Sequence, residues 1–117
     1  MRKAYRIKKN EEFQEVFQKG KSFANRQLVL FYLPKHDQVH FRVGLSVGKK
    51  LGNAVVRNRI KRYLRQAFME MEEELKQEYD FVVIARRAAV DQDYHQLKKS
   101  LAHVLKRTNM FKRKKYD

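Results

Sequence analysis

The sequence predicts an α+β fold, a two-layer sandwich in which helices pack on one face of a small, mostly antiparallel sheet. This fold class is predicted by a change in the spacing of apolar residues along the chain. A run of β-forming residues fills positions 28 to 33, apolar residues follow the two-residue period of a strand from 40 to 47, and from residue 53 they follow the 3.6-residue period of a helix. A further strand and a further helix complete the order. The 117 residues allow one modest core, which predicts a single domain over residues 1–117.

The first element is a short helix over residues 11 to 18. Asn10 is a typical capping residue, the two glutamates after it suit the positive end of a helix, and Gly20 is a natural stop. Phe13 and Phe17 are four residues apart and therefore share one face of this helix. Paired aromatic residues are most often buried in a core, but two aligned rings can also stack with unpaired bases.

Two strands follow the first helix. β-Forming residues fill positions 28 to 33, and apolar residues alternate with polar ones from 40 to 47. We expect these two strands to pair antiparallel across the turn at 34 to 39. The second strand has a small, polar face that includes Arg42 and Ser46. This face is unusual for a fully covered sheet and indicates a surface open to a ligand.

The second half of the chain predicts a helix, a strand and a helix. A central helix is expected over residues 53 to 77, and the apolar run DFVVIA at 80 to 85 is the next strand. Its place after a long helix predicts a parallel β-helix-β crossover. Asp91 is placed to cap a last helix that extends to Lys106. The basic residues 107–117 are expected to form a flexible, solvated tail.

The charge balance indicates a polyanionic partner. The chain has 28 Lys and Arg against 13 Asp and Glu, a formal charge of +15, which makes nucleic acid the first candidate. A membrane surface fits less well, because no apolar run approaches a spanning length. The absence of cysteine excludes disulfides and thiolate zinc sites. Because nothing resembles an export signal, we expect a cytoplasmic protein.

The cations concentrate in residues 48–65, GKKLGNAVVRNRIKRYLR, which hold seven Lys or Arg and no acid. On a helix, Arg57, Lys61 and Arg65 form a stripe beside the apolar arc, whereas Arg59 points elsewhere. An ordinary solvated helix face usually mixes both signs of charge. This stripe therefore predicts guanidinium groups that contact phosphates.

Two other interpretations of the basic segment fit less well. In GLSVGKK three residues separate the glycines where a P-loop needs four, and Lys50 replaces the required Ser or Thr. A helix-turn-helix needs a short partner helix, but a strand precedes the basic helix. Asn53 is expected to cap this helix, and Asn58 to make a polar contact from within it. The polar strand face and the rings of the first helix together favour single-stranded RNA.

The sequence shows no catalytic signature of its own. It has no nucleophile motif, no paired carboxylates and no metal-ligand spacing. The acids between 70 and 78 gather at one helix end, where they are typical of solubilising charge. We therefore expect neither a catalytic residue nor a metal site in this chain.

Three stretches carry a resemblance to a known family: KNEEFQEVFQKGKSFANRQLVLFYL, FRVGLSVGKKLGNAVVRNRIKRYLRQAF and DFVVIAR. With the closing amphipathic helix, they closely resemble the protein subunit of bacterial ribonuclease P, in the form found in low-GC Gram-positive bacteria. The likeness covers nearly the whole chain. It implies an α/β sandwich whose β-helix-β crossover is left-handed, against the usual preference.

The resemblance also implies a function. In that family a large catalytic RNA, which itself holds most of the magnesium, removes the 5′ leader of precursor tRNA. The protein assists by binding both RNAs, and no protein oligomer is required. The implied contacts to the RNA subunit are Lys49, Lys50, Asn53, Arg57, Asn58, Arg59, Lys61, Arg62 and Arg65. The implied contacts to the leader of precursor tRNA are Phe13, Phe17, Phe31, Arg42 and Ser46. The alternative is a structured-RNA-binding or ribosome-associated protein without a ribozyme partner.

Overall fold

Three helices and four strands make up the computed structural model, which describes residues 1–113. In chain order they are α1 (Asn10–Lys19), β1 (Lys21–Ala24), β2 (Leu28–Pro34), β3 (Arg42–Ser46), α2 (Ala54–Glu70), β4 (Tyr79–Ala85) and α3 (Tyr94–Arg107). The predicted α+β class is confirmed, and the short strand β1 extends the predicted set.

The four strands form one mixed sheet in the order β1-β2-β4-β3. The pairs β1–β2 and β2–β4 are antiparallel, and β3–β4 is parallel. The predicted parallel crossover is confirmed, since α2 connects the parallel neighbours β3 and β4. The expected direct pairing of β2 with β3 is wrong, because β4 lies between them. An uninterrupted apolar run suits such a central strand, which is covered on both faces.

The core lies on both sides of the sheet. Phe81 and Val83 of β4 pack against α2 and α3, which contribute buried residues such as Leu64 and Leu101. Val82 points to the opposite face and packs against Val16 of α1. The expectation that all helices share one face is therefore corrected for α1. Because successive strand residues alternate between faces, an apolar β4 needs a cover on each side.

Two helix starts differ from the predicted ones. In α1 the N-cap is Lys9, whose side chain makes no capping bond, and Asn10 is already helical. In α3 the cap is Asp93 rather than Asp91. The Asp93 carboxylate accepts a hydrogen bond from the Gln96 N–H at 2.8 Å, and the Gln96 side chain accepts one in return from the Asp93 N–H at 3.0 Å. Such reciprocal capping boxes satisfy two free N–H groups at once.

The chain after α3 packs back on the body, which departs from the solvated tail expected for residues 107–117. α2 ends earlier than predicted, so that Leu75 is extended and forms an antiparallel bridge with Phe111. Met110 is only 3% exposed and belongs to the core cluster. The last four residues, 114–117, lie outside the described part of the chain.

Replacing Met110 with Ala is expected to lower the free energy of unfolding by about 2–5 kcal/mol, because it leaves a cavity in the core. Urea denaturation followed by circular dichroism measures this change. Val39, which is 89% exposed, provides the control, and its replacement with Ala is expected to change stability by less than about 0.5 kcal/mol. Equal effects of the two substitutions would show that the segment after α3 does not pack in solution.

Candidate nucleic-acid interface

The basic helix begins at a defined cap. The Asn53 side chain accepts a hydrogen bond from the Val56 N–H at 3.1 Å, which confirms the predicted capping role. Gly52 before it has a φ of 149°, and a Cβ at this position would lie 3.0 Å from the Val56 side chain. Only glycine adopts this backbone without strain. The direction in which α2 leaves the sheet is thereby fixed.

Among the described residues, the cations at 49–65 have no carboxylate partner. Within residues 1–113, none of the seven forms a salt bridge. The side chains of Lys49, Lys50 and Arg62 are exposed. A surface of like charges without counter-charges is a favourable binding site for a polyanion.

Two arginines of the basic helix are held by backbone carbonyls. Arg57 donates its Nε–H to the Gly52 oxygen at 3.1 Å, and Arg59 donates from Nη2 to the Val90 oxygen at 2.8 Å. The second bond directs Arg59 towards the chain before α3 and away from the stripe, as predicted. Neither terminal nitrogen of Arg57 forms a hydrogen bond within residues 1–113, so both can bind a phosphate.

The predicted aromatic residues come together on the α1 side of the sheet. The rings of Phe17 and Phe31 meet edge to face, with centroids 4.9 Å apart, and Phe13 lies 6.5 Å from Phe17. All three are partly buried against a small cluster that includes Val16 and Val82. The rings are therefore both packed and partly accessible, and the surface that Phe13, Phe17 and Phe31 share is called the aromatic groove below.

The polar face of β3 is less open than the sequence indicated. A Cβ on Gly44 would lie 2.6 Å from the Phe13 ring, so the absence of a side chain lets this ring rest on the strand. Ser46 is half-buried at the end of β3. The Phe13 ring consequently covers β3 at Gly44, and Ser46 lies two residues further on the same face of the strand.

Arg42 forms an internal ion cluster. Its Nε and Nη2 donate to the two carboxylate oxygens of Asp80 at 3.0 and 2.7 Å, and its Nη1 donates to Glu12 at 2.7 Å. The hydrogen bond with Asp80 is the main cause that raises the pKa of Arg42 above its usual value. The cluster ties α1, β3 and β4 together, so Arg42 positions the first helix beside the groove.

Asp80 is a structural residue that the sequence analysis missed. It is fully buried, with 0% exposure, and a buried carboxylate requires a partner. The available signal was an acid at the head of the apolar run DFVVIA, opposite a strand that carries an arginine. That signal was ambiguous, because strands frequently begin with polar residues.

Arg65 lies half-buried beside Arg6 of the N-terminal segment. Burial is the main cause that lowers the pKa of Arg65, and the charge of Arg6 lowers it further. The spacing of cations in the sequence places Arg65 on the basic stripe but predicts no role for Arg6. The two residues are distant in the sequence, and only the fold brings them together.

The described residues show neither of two other kinds of site. No group of three or more His, Asp or Glu side chains within residues 1–113 is arranged to hold a metal ion. In the same part of the chain, each helix is too short or too polar to cross a membrane.

Comparison with known proteins identifies similar chains. Residues 1–109 match the sequence model of the family described as Ribonuclease P. The ribonuclease P protein component of Listeria monocytogenes serotype 4a is 56% identical over 114 residues, 97% of this chain and 96% of that protein. Its counterpart from Oceanobacillus iheyensis is 59% identical over 112 residues, 96% and 93% of the two chains.

Solved structures show the same similarity. The Staphylococcus aureus RNase P protein has a TM-score of 0.88 and 48% identity, over 94% of this chain and 100% of that chain. The RNase P protein from Thermotoga maritima has a TM-score of 0.80 and 28% identity, over 87% and 96%. The fold described above is thus shared with both.

Replacing Asp80 with Asn is expected to lower the free energy of unfolding by about 3–5 kcal/mol, since it removes the charge that compensates a partly buried guanidinium. Glu12 contacts the same guanidinium from a more exposed position, so Glu12→Gln is the control and is expected to cost about 1 kcal/mol or less. Guanidinium chloride denaturation measures both. Equal losses would contradict the central place given to Asp80.

Proposed function

This chain belongs to the ribonuclease P protein family, and we propose on that premise that it binds the catalytic RNA of ribonuclease P and assists removal of the 5′ leader from precursor tRNA. The observation that carries the proposal is the run of seven cations at 49–65 without a carboxylate partner among residues 1–113. A catalyst made of RNA leaves its protein an electrostatic task. It must bring two polyanions together and offset the charge of their phosphates.

The basic helix is the proposed surface for the RNA subunit. Exposed cations are best placed to contact phosphates. Arg57 and Arg59 each bond to a backbone carbonyl through one nitrogen and keep further N–H groups that can bind a phosphate. Asn53 fixes the start of the helix, and Asn58 lies exposed on it. The proposed contact residues are Lys49, Lys50, Asn53, Arg57, Asn58, Arg59, Lys61, Arg62 and Arg65. Each phosphate neutralised in this way lowers the demand for magnesium, which the RNA holds.

The aromatic groove is the proposed site for the leader. Single-stranded RNA exposes base faces, and these stack on aromatic rings without regard to sequence. Phe13, Phe17 and Phe31 provide such rings, and Ser46 provides a hydroxyl at the border of the groove. Arg42 contributes by holding α1 in place through Asp80 and Glu12. We further propose one RNA-binding domain that acts in the cytoplasm without protein oligomerisation.

The alternative is a general RNA-binding or ribosome-associated protein. Such a protein would need the same basic helix, so charge alone does not separate the two functions. The family match favours the first, because it spans residues 1–109 and includes both the basic helix and the groove.

A reconstitution experiment tests the proposed function. A 5′-labelled precursor tRNA is incubated at several magnesium concentrations with the protein alone, with the ribonuclease P RNA of the same organism alone, and with both. Cleavage at low magnesium is expected only with both. Arg62→Ala is expected to bind the RNA subunit about tenfold more weakly, the value of one charge-assisted contact of about 1.4 kcal/mol, and to need more magnesium.

The controls separate the possible outcomes. Arg26→Ala removes an exposed arginine from the turn between β1 and β2 and is expected to behave as the wild type. No stimulation by the wild-type protein would favour the general RNA-binding alternative. Cleavage by the protein alone would reveal an active site in this chain and refute the proposed division of labour.

Replacing Phe17 with Ala is expected to weaken binding of precursor tRNA to the holoenzyme roughly tenfold, because it removes one stacking partner of the leader. Binding of mature tRNA, which lacks the leader, should remain unchanged. Phe23→Ala is the matched control, since Phe23 packs near α3, away from the groove. Equilibrium binding with labelled tRNAs measures each affinity. Equal losses for precursor and mature tRNA would contradict the groove assignment.

A further inference from the structure

A second cationic site lies between the N-terminal segment and α2. Here a cleft of about 400 Å³ opens at the surface, and its walls contain three arginines and no acid. The residues that line it are Met1, Arg6, Arg62, Arg65, Gln66 and Met69. The cleft therefore combines concentrated positive charge with two apolar side chains and one amide.

Two donors in this cleft lack a partner. The Nε atoms of Arg6 and Arg65 are buried, and neither forms a hydrogen bond with any residue from 1 to 113. A buried N–H without an acceptor is costly, and structures usually satisfy such groups. Two guanidinium groups that face one cleft also repel each other. An anion with several oxygens in the cleft offsets the repulsion and supplies acceptors for the guanidinium groups.

The fold holds Arg6 at this position. Its N–H bonds to the Lys3 oxygen at 3.1 Å, and the next N–H, of Ile7, bonds to the Val43 oxygen of β3 at 2.9 Å. Tyr5, on the other side, is buried and stacks on His40 with ring centroids 3.9 Å apart. The backbone at Arg6 is thus tied to β3 on one side and held by the packing of Tyr5 on the other. These contacts keep the Arg6 backbone close to α2 and Arg65.

We propose that this cleft binds one backbone phosphate of the ribonuclease P RNA, with Arg6 and Arg65 as the paired donors and Arg62 at the rim. The inference rests on the proposed function, which supplies the RNA, and it adds Arg6 to the interface. A phosphate suits the cleft because its oxygens can accept from two guanidinium forks at once. The side chains of Met1 and Met69 offer an apolar surface to the adjoining ribose.

This site extends the RNA contact beyond α2. The N-terminal segment, α2 and, through the Val43 bridge, the edge strand β3 become parts of one surface. RNA that contacts Arg6 and Arg65 at the same time is oriented by both the N-terminal segment and α2. A single helix face would fix this direction less well.

A double-mutant cycle tests the proposal. The affinity of the full-length protein for the ribonuclease P RNA is measured over a series of KCl concentrations for Arg6→Gln, Arg65→Gln and the double variant. Each single variant is expected to bind roughly tenfold more weakly, with a salt slope smaller by about one. The double variant is expected to lose little more than either single variant, because both arginines serve one phosphate. Arg26→Gln is the matched control and is expected to bind as the wild type.

A second measurement depends on no RNA partner. Inorganic phosphate is titrated into the wild-type protein while the arginine Nε–H signals are followed by NMR. The signals of Arg6 and Arg65 are expected to shift together with one dissociation constant, while that of Arg26 stays in place. No shift would mean that phosphate does not bind in the cleft. An equal shift of all arginines would mean that it binds only non-specifically. Either result would overturn the proposal.

The two experiments separate failure of the cleft from failure of the function. Wild-type affinity and salt slope in Arg6→Gln, together with weaker binding by Lys50→Ala, whose exposed side chain lies outside the cleft, would refute the cleft and leave the proposed function intact. Independent, multiplicative losses in the double variant would also refute a shared phosphate. A wild-type protein that does not bind the RNA would refute the proposed function, and the phosphate titration would then decide on the cleft alone.

Discussion

The burial of β4 on both faces is the constraint from which the rest of the structure follows. Its residues Phe81, Val82 and Val83 are all fully buried although neighbours point to opposite sides. The strand therefore needs α2 and α3 on one face and α1 on the other. It also needs a strand at each edge, which β2 and β3 provide. This central position places the basic helix and the aromatic groove on different faces of one sheet, so the two proposed RNA contacts are separate.

The only buried charge in the core of residues 1–113 belongs to the same strand. Asp80 lies at the start of β4 and binds the guanidinium of Arg42, which in turn binds Glu12 of α1. A buried ion pair of this kind contributes little net stability but disfavours other arrangements, because each alternative leaves a charge unpaired. In this fold it selects the placement of α1 on the sheet. The position of the groove thus depends on an interaction outside the groove itself.

On the surface, salt bridges and unpaired cations occupy different parts of the described chain. The carboxylates that take part in salt bridges pair with Lys19, Lys35, Arg42 and Lys98, all outside the basic segment. The cations of the basic helix are left without counter-charges among the described residues. In the free protein this arrangement costs repulsion, most clearly where Arg65 lies beside Arg6. In the proposed complex the phosphates of the RNA offset that repulsion, and the strong positive charge favours rapid association with a polyanion.

The sequence by itself determined the local features of this protein. The period of the apolar residues identified α1, α2, α3 and the principal strands, Asn53 and Gly20 marked helix ends, and the run at 48–65 identified the basic face. These properties depend on residues a few positions apart, so a pattern in the sequence contains them. Only the tertiary structure decided the strand order, the opposite placement of α1 and the packing of Met110 and Phe111. The same holds for the pairs Arg42–Asp80, 38 positions apart, and Arg6–Arg65. Each of these contacts joins segments that are distant in the sequence. Which segments meet depends on how both faces of β4 are covered, and this cover is a property of the whole chain.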